Sequence, residues 1–127
     1  VLSIEIDADA DLSVYQQIAD QLRALIARGA LDDGAELPSV RRLGAQIGVN
    51  LNTVARAYRT LAADGLIELR HGAAARVRVP RPGRGDPKLD DEARRRLFDL
   101  FSRWRLEGAN RKQIERVLAS AAAEFFD

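Results

Sequence analysis

Two short helical repeats lie three residues apart in the middle of this chain, and that spacing limits what can surround them. Val40, Leu43 and Ile47 recur at helical spacing, and Gly48 closes the run. A second run, Val54, Ala57, Tyr58 and Leu61, begins after Asn50, a good N-cap, and ends at Gly65, where a C′ glycine belongs. The Gly48-Val49-Asn50 connection is too short for the two helices to lie antiparallel. They must cross steeply, with Val49 in the angle between them. Two short helices joined by a tight glycine-containing turn are the signature of a helix-turn-helix.

The flanking segments extend that motif. Upstream, Ser13 and Gln16 form a capping-box pattern, followed by Tyr15, Ile18, Leu22, Leu25 and Ile26 at helical spacing, and Gly29 stops the helix. Before it, Leu2, Ile4 and Ile6 alternate, which predicts a short edge strand. Residues 31–37 read as a connection around Asp32-Asp33-Gly34, and Ser39 is placed to cap the helix that follows. After Gly65 the period drops from 3.6 to 2. Leu66–Arg70 and Ala75–Val79 read as strands about a turn at His71-Gly72-Ala73-Ala74, with valines on one face of the second strand and arginines on the other. A hairpin directly after a helix-turn-helix is a wing. Residues 80–88 hold three of the four prolines and read as a linker. Beyond them, Leu97, Leu100, Phe101 and Trp104 mark one amphipathic helix. Gly108 breaks it, and Asn110 caps another carrying Ile114, Val117, Leu118 and Phe125. The expected fold is mainly α with a small β wing: a winged helix-turn-helix domain over residues 1–79, the linker, and a C-terminal two-helix hairpin over 89–127.

Composition removes several classes of function. The chain has no cysteine and one histidine among 127 residues, so thiol zinc sites, disulfides and the usual nucleophile–base pairs have no material. No phosphate-cradling glycine loop is present. The acid pairs Asp32-Asp33 and Asp90-Asp91 fall at a turn and a helix start, where solvation explains them. An enzyme, a metal site and a cofactor are therefore not expected. No apolar run approaches the roughly 18 residues of a membrane span, and the acidic start has the wrong sign for a signal peptide, so the expected location is cytoplasmic. The net charge of +1 conceals a division: residues 1–36 carry −6, residues 37–88 carry +7, and residues 89–127 carry 0. Positive charge gathered in the segment that holds the helix-turn-helix is the pattern of a polyanion footprint.

In a helix-turn-helix the second helix enters the major groove with its N-terminal residues at the base edges. Here those residues are Asn50, Leu51, Asn52 and Thr53, with Ala55, Arg56 and Arg59 on the face away from Val54, Tyr58 and Leu61. Asparagine bonds adenine at two points, arginine does so with guanine, and threonine meets a thymine methyl or a phosphate. Ser39 and Arg41, in the first turn of the preceding helix, suit a phosphate oxygen. His71 and Gly72, at the wing tip, suit the backbone or minor groove.

From Val14 to Gly65 the chain resembles the GntR family of bacterial regulators. The residues that carry the likeness are Tyr15-Gln16-Gln17-Ile18, Leu37-Pro38-Ser39-Val40-Arg41-Arg42-Leu43, Ile47-Gly48-Val49-Asn50, Asn52-Thr53-Val54, Tyr58, Leu61 and Asp64-Gly65-Leu66. With only some 40 residues after the linker, it is similar to the small YtrA-type subfamily, in which a helical hairpin mediates dimerisation. The resemblance implies DNA contacts at Arg41, Asn50, Leu51, Asn52, Thr53, Ala55 and the His71-Gly72 pair. Two departures matter. Leu51 and Ala55 stand where some relatives carry arginine, so Arg56 is expected to serve instead. The wing tip reads Gly72-Ala73-Ala74-Ala75-Arg76 rather than Gly-x-Gly followed by threonine.

A two-helix hairpin cannot bury Leu97, Leu100, Phe101, Trp104, Ile114, Val117, Leu118 and Phe125 on its own. Since each large apolar side chain gains roughly 1.5–3 kcal/mol on burial, packing against the chain's own winged domain or against a second hairpin would hide them, and an isologous homodimer is the expectation. The function expected is a DNA-binding regulator, a repressor acting on a palindromic operator in double-stranded DNA. A regulator answering to a small-molecule effector, and a winged-helix adaptor for another protein, stand as alternatives.

Overall fold

The computed structural model describes residues 2–71, 74–80 and 91–127. They fall into two compact units, Val1–Arg81 and Pro82–Asp127. The first unit contains α1 (Val14–Ala27), α2 (Val40–Ile47), α3 (Leu51–Ala63), β1 (Ile67–Glu68) and β2 (Arg76–Val77). The second contains α4 (Asp91–Leu106) and α5 (Arg111–Phe126). Most of the expected linker, and Gly72 and Ala73 of the expected wing tip, lie outside the described residues.

Local chemistry sets each helix boundary in the first unit. Ser13 precedes α1, and the Gln16 side-chain oxygen accepts from both its N–H (3.3 Å) and its hydroxyl (2.9 Å). The Ser39 hydroxyl accepts from Arg42 N–H at 3.1 Å to start α2, and Asn50 Oδ1 accepts from Asn52 N–H at 2.8 Å to start α3. Gly48 ends α2 in the left-handed region, at φ 70°, a conformation that favours glycine. The three helices and the hairpin close over one core. Ile18, Leu22 and Ile26 of α1 meet Leu43 of α2, Val54, Tyr58 and Leu61 of α3, Ile67 of β1 and Val77 of β2, all buried. The predicted apolar stripes of α1 and α3 are thus the core-facing stripes; on α2 the fully buried apolar residue is Leu43, with Val40 and Ile47 packed at its edge.

The hairpin is shorter than its pattern predicts. It pairs antiparallel with Ile67 opposite Val77 and Glu68 opposite Arg76. Ala75 and Val77 face the core, while Val79 and Leu69 are exposed. Without burial to reward further pairing, the Val79 N–H turns instead to the Asp33 carboxylate at 2.8 Å. A third edge compensates. Leu37 N–H donates to Ala75 C=O, Val77 N–H to Ala35 C=O, and Gly34 N–H to Val77 C=O, each at 2.8 Å. The stretch read as a mere connection therefore borders β2 on its other side.

The expected N-terminal edge strand does not form. Residues 2–6 are extended but pair with no strand. Two glutamine side chains of α1 take the partner's place. Gln21 accepts from Glu5 N–H (2.9 Å) and donates to Glu5 C=O (2.6 Å). Gln17 does the same for Asp7, at 2.8 and 2.9 Å. Four residues of helix rise about 6 Å, close to the advance of two extended residues, so the two registers match. The alternation of Leu2, Ile4 and Ile6 reflects packing against the core, with Ile4 buried.

In the second unit, α4 begins with Asp91 and Glu92 and ends with Arg103 and Arg105, charges that complement the helix dipole at both ends. Gly108, at φ 105°, turns the chain, and Asn110 caps α5 by accepting from Gln113 N–H at 2.9 Å. The two helices follow one another as expected, yet approach closely at few points along their lengths. No residue of either helix is buried.

Candidate nucleic-acid interface

The turn that joins α2 to α3 is fixed by a close backbone approach. Gly44 C=O accepts from Val49 N–H at 2.9 Å, and a Cβ at Gly44 would stand 2.6 Å from the Val49 carbonyl oxygen. The second helix therefore leaves at its angle because residue 44 has no side chain. The lone glycine inside an otherwise helical pattern was the available signal for this. A second tie comes from Tyr58, buried on α3, whose hydroxyl donates to Pro38 C=O at 2.6 Å. Burial pushes the Tyr58 phenol well above its ordinary pKa, so it is a neutral donor at every working pH. Tyr58 thus holds the start of α2 against the body of α3. Replacing it with phenylalanine removes one hydrogen bond and strands a carbonyl, which is expected to cost about 1 kcal/mol, measured by urea unfolding.

This framework exposes polar and basic residues on both motif helices. On α3, Leu51, Asn52, Arg56 and Arg59 are exposed, and Thr53 and Ala55 are half-buried. At the start of α2, Ser39, Arg41 and Arg42 are exposed. Two of the expected contact residues already have local work: the Ser39 hydroxyl and the Asn50 side-chain oxygen both cap helices. What Asn50 can still offer outward is its amide N–H2. His71 is exposed at the hairpin turn, and Gly72 lies outside the described residues.

Arg56 is not a free-swinging side chain. Its guanidinium carbon lies 3.9 Å from the centroid of the Tyr15 ring on α1, a cation–π stack. Sequence reasoning placed Tyr15 in the α1 stripe and in the family likeness, and missed this contact.

The structure also divides the positive segment in two. Among the described residues, Arg41, Arg42, Arg56 and Arg59 pair with no carboxylate. The arginines of the hairpin are all engaged. Arg78 donates to Glu68 through two nitrogens, Arg70 donates to Glu68 at 3.2 Å, and Arg76 reaches Glu36 at 3.3 Å. Among the described residues of that segment, the arginines without a carboxylate partner therefore belong to the two motif helices.

The second unit bears the residues expected at a dimer contact. Leu97, Phe101, Trp104, Ile114 and Phe125 are half-buried, whereas Leu100, Val117 and Leu118 are exposed. The structure adds Phe98, Leu106 and Phe126, each more than half exposed, which the helical-wheel reading passed over. Among the described residues no cluster of His, Asp or Glu is arranged to hold a metal ion, and no helix is long and apolar enough to cross a membrane.

Three helices, the second and third joined by the short Gly48–Asn50 turn and packed together, followed by a β hairpin, define a winged helix-turn-helix protein. The description "Bacterial regulatory proteins, gntR family" matches residues 14–77, and the chain belongs to that family. Within it, the chain is similar to YtrA-like members. It is 41% identical over 69 residues to the HTH-type transcriptional repressor YtrA of Bacillus subtilis, a match covering 54% of this chain and 53% of that protein. The match thus spans about half the length of this curated relative. Among solved structures, YtrA from Sulfolobus acidocaldarius, described as a GntR-family transcription factor, superposes with a TM-score of 0.58 at 34% identity, covering 79% of this chain and 94% of that one. A protein from Listeria monocytogenes described as a transcriptional antiterminator superposes with a TM-score of 0.86 at 24% identity, covering 99% and 94%. This last likeness concerns the fold.

Proposed function

We propose that the protein is a sequence-specific DNA-binding transcription regulator, a repressor, that binds a palindromic operator as a homodimer. The observation that carries this reading is the exposed face of α3 and the start of α2. These elements expose Arg41, Arg42, Arg56 and Arg59, which have no carboxylate partner among the described residues, and they also carry Asn52, Thr53 and the N–H2 of Asn50. Those groups supply phosphate contacts for register and base-edge contacts for sequence. In this reading Ser39 and Arg41 hold the backbone, Asn50, Leu51, Asn52, Thr53 and Arg56 face the bases, and the His71-Gly72 tip meets the flanking groove. The apolar faces of α4 and α5 meet a second copy, which sets two recognition helices about one DNA turn apart.

Selection from a random duplex library at two salt concentrations tests this directly. The expected result is an inverted repeat whose affinity falls steeply as salt rises. Recovery of no motif, with weak and salt-insensitive binding, would refute the reading and favour a protein-binding adaptor. The arginines should separate. Arg56→Ala is expected to cost about 1–3 kcal/mol and relax preference at one base pair per half-site, while Arg41→Ala weakens all sequences evenly and lowers the salt slope by about 1. Fluorescence anisotropy on operator and scrambled duplexes distinguishes the two patterns.

A further inference from the structure

The solvent face of the hairpin holds more carboxylate than a phosphate-binding surface needs. Antiparallel pairing sets Glu68 beside Arg76, and Arg76 beside Glu36 on the third edge. Arg78 and Arg70 both turn inward to Glu68. Their side chains remain 61% and 43% exposed, so these cations stand in reach of solvent yet are already occupied. Hydrogen bonds from Arg78 hold the Glu68 carboxyl below its ordinary pKa, with Arg70 adding to the effect, so the carboxylate stays charged across the physiological range.

The network adds little to folding stability. Exposed ion pairs contribute little to stability, and the hydrophobic core of this unit lies on the opposite face of the hairpin, through Ile67, Ala75 and Val77. Its position has another consequence. Arg70 directly precedes the hairpin turn at His71, and β1 follows α3 after three residues. Arg70 therefore adjoins the hairpin turn, and Arg78 lies at the other end of the same face, beside Leu66.

We propose that Glu68 limits the protein's sequence-independent affinity for DNA: by occupying Arg70 and Arg78 it withholds two cations from the DNA backbone. This rests on the DNA-binding reading above. Backbone contacts strengthen binding to every sequence alike. Withholding two of them leaves discrimination to α3 and keeps the protein from being retained on random DNA. Glu68 acts as an internal stand-in for phosphate, and the pairs exchange only at a cost that DNA must meet.

The test is Glu68→Gln in the full chain, with affinity for operator and for scrambled duplex measured across a salt series. The expected result is a log K against log salt slope steeper by about one to two, since each added phosphate contact contributes about 0.9. Scrambled duplex should bind about tenfold more tightly at low salt, the operator gaining no more than that, and the melting temperature should be unchanged. Adding Arg70→Gln and Arg78→Gln to that variant should restore the original slope. Asp20→Asn makes the same change in net charge on α1, where Arg23 keeps Asp64 at 2.9 Å, and should leave the slope alone. If Glu68→Gln binds no more tightly while the unaltered protein shows steep salt dependence, the proposal is overturned and the DNA-binding reading stands. Weaker binding by Glu68→Gln, or an equal gain from Asp20→Asn, overturns it too. Absence of salt-dependent binding by the unaltered protein defeats both.

Discussion

Gly44→Ala is expected to destabilise the N-terminal unit by about 1–3 kcal/mol, the range for forcing an extra carbon into a packed site. The sign is what makes the experiment informative. In an exposed helix interior, alanine is better than glycine by up to about 1 kcal/mol, so propensity alone predicts a gain. Here the new Cβ would stand 2.6 Å from the Val49 carbonyl oxygen, a backbone atom that cannot rotate aside. Relief requires α3 to move away from α2, which also displaces Asn50 to Arg56 from any surface docked against α2. DNA affinity should therefore fall in conditions where circular dichroism still reports a folded protein. Urea unfolding alongside anisotropy measures both. A stabilised Gly44→Ala protein with intact binding would show that the α2–α3 crossing is not set by this contact.

The second large effect concerns the C-terminal unit. Leu100→Glu combined with Val117→Glu places charge on two exposed apolar positions, one on each helix. Neither side chain is part of the first unit's core, so that unit should keep its own stability. Sedimentation should report a monomer. Operator affinity should drop about 100-fold or more, because a second half-site held at high effective concentration multiplies affinity by 10² to 10⁴. A dimeric double variant with unchanged affinity would place the two-fold contact elsewhere and reassign these helices.

What could be read from the sequence was whatever has a period or a punctuation mark. Gly48, Asn50, Ser39 and Gly65 gave the ends of α2 and α3 because helix boundaries are decided by local backbone chemistry. The stripes of α1 and α3 gave the core because burial follows 3.6-residue spacing. The failures have a common cause: a partner distant in the chain with no local trace. The alternating Leu2, Ile4 and Ile6 read as a strand since nothing nearby reveals that Gln17 and Gln21 will supply its hydrogen bonds. Residues 34–37 read as a connection since pairing with β2 is set by tertiary position. The candidate contact residues on α3 were legible as a face, but the charge map was not. Counting arginines in residues 37–88 gives no hint that Glu68 and Glu36 engage three of them, or that Tyr15 holds a fourth.

The glutamine attachment of the N-terminal segment has a further consequence. Amide side chains neither titrate nor respond to ionic strength, and each of these two grips one residue at both its N–H and its C=O. High salt, which dissolves contacts made by arginine, leaves this fastening intact. It behaves like a zip with two teeth: its hold depends on spacing alone. Deleting one residue between Glu5 and Asp7 would leave both teeth chemically whole and mechanically out of step.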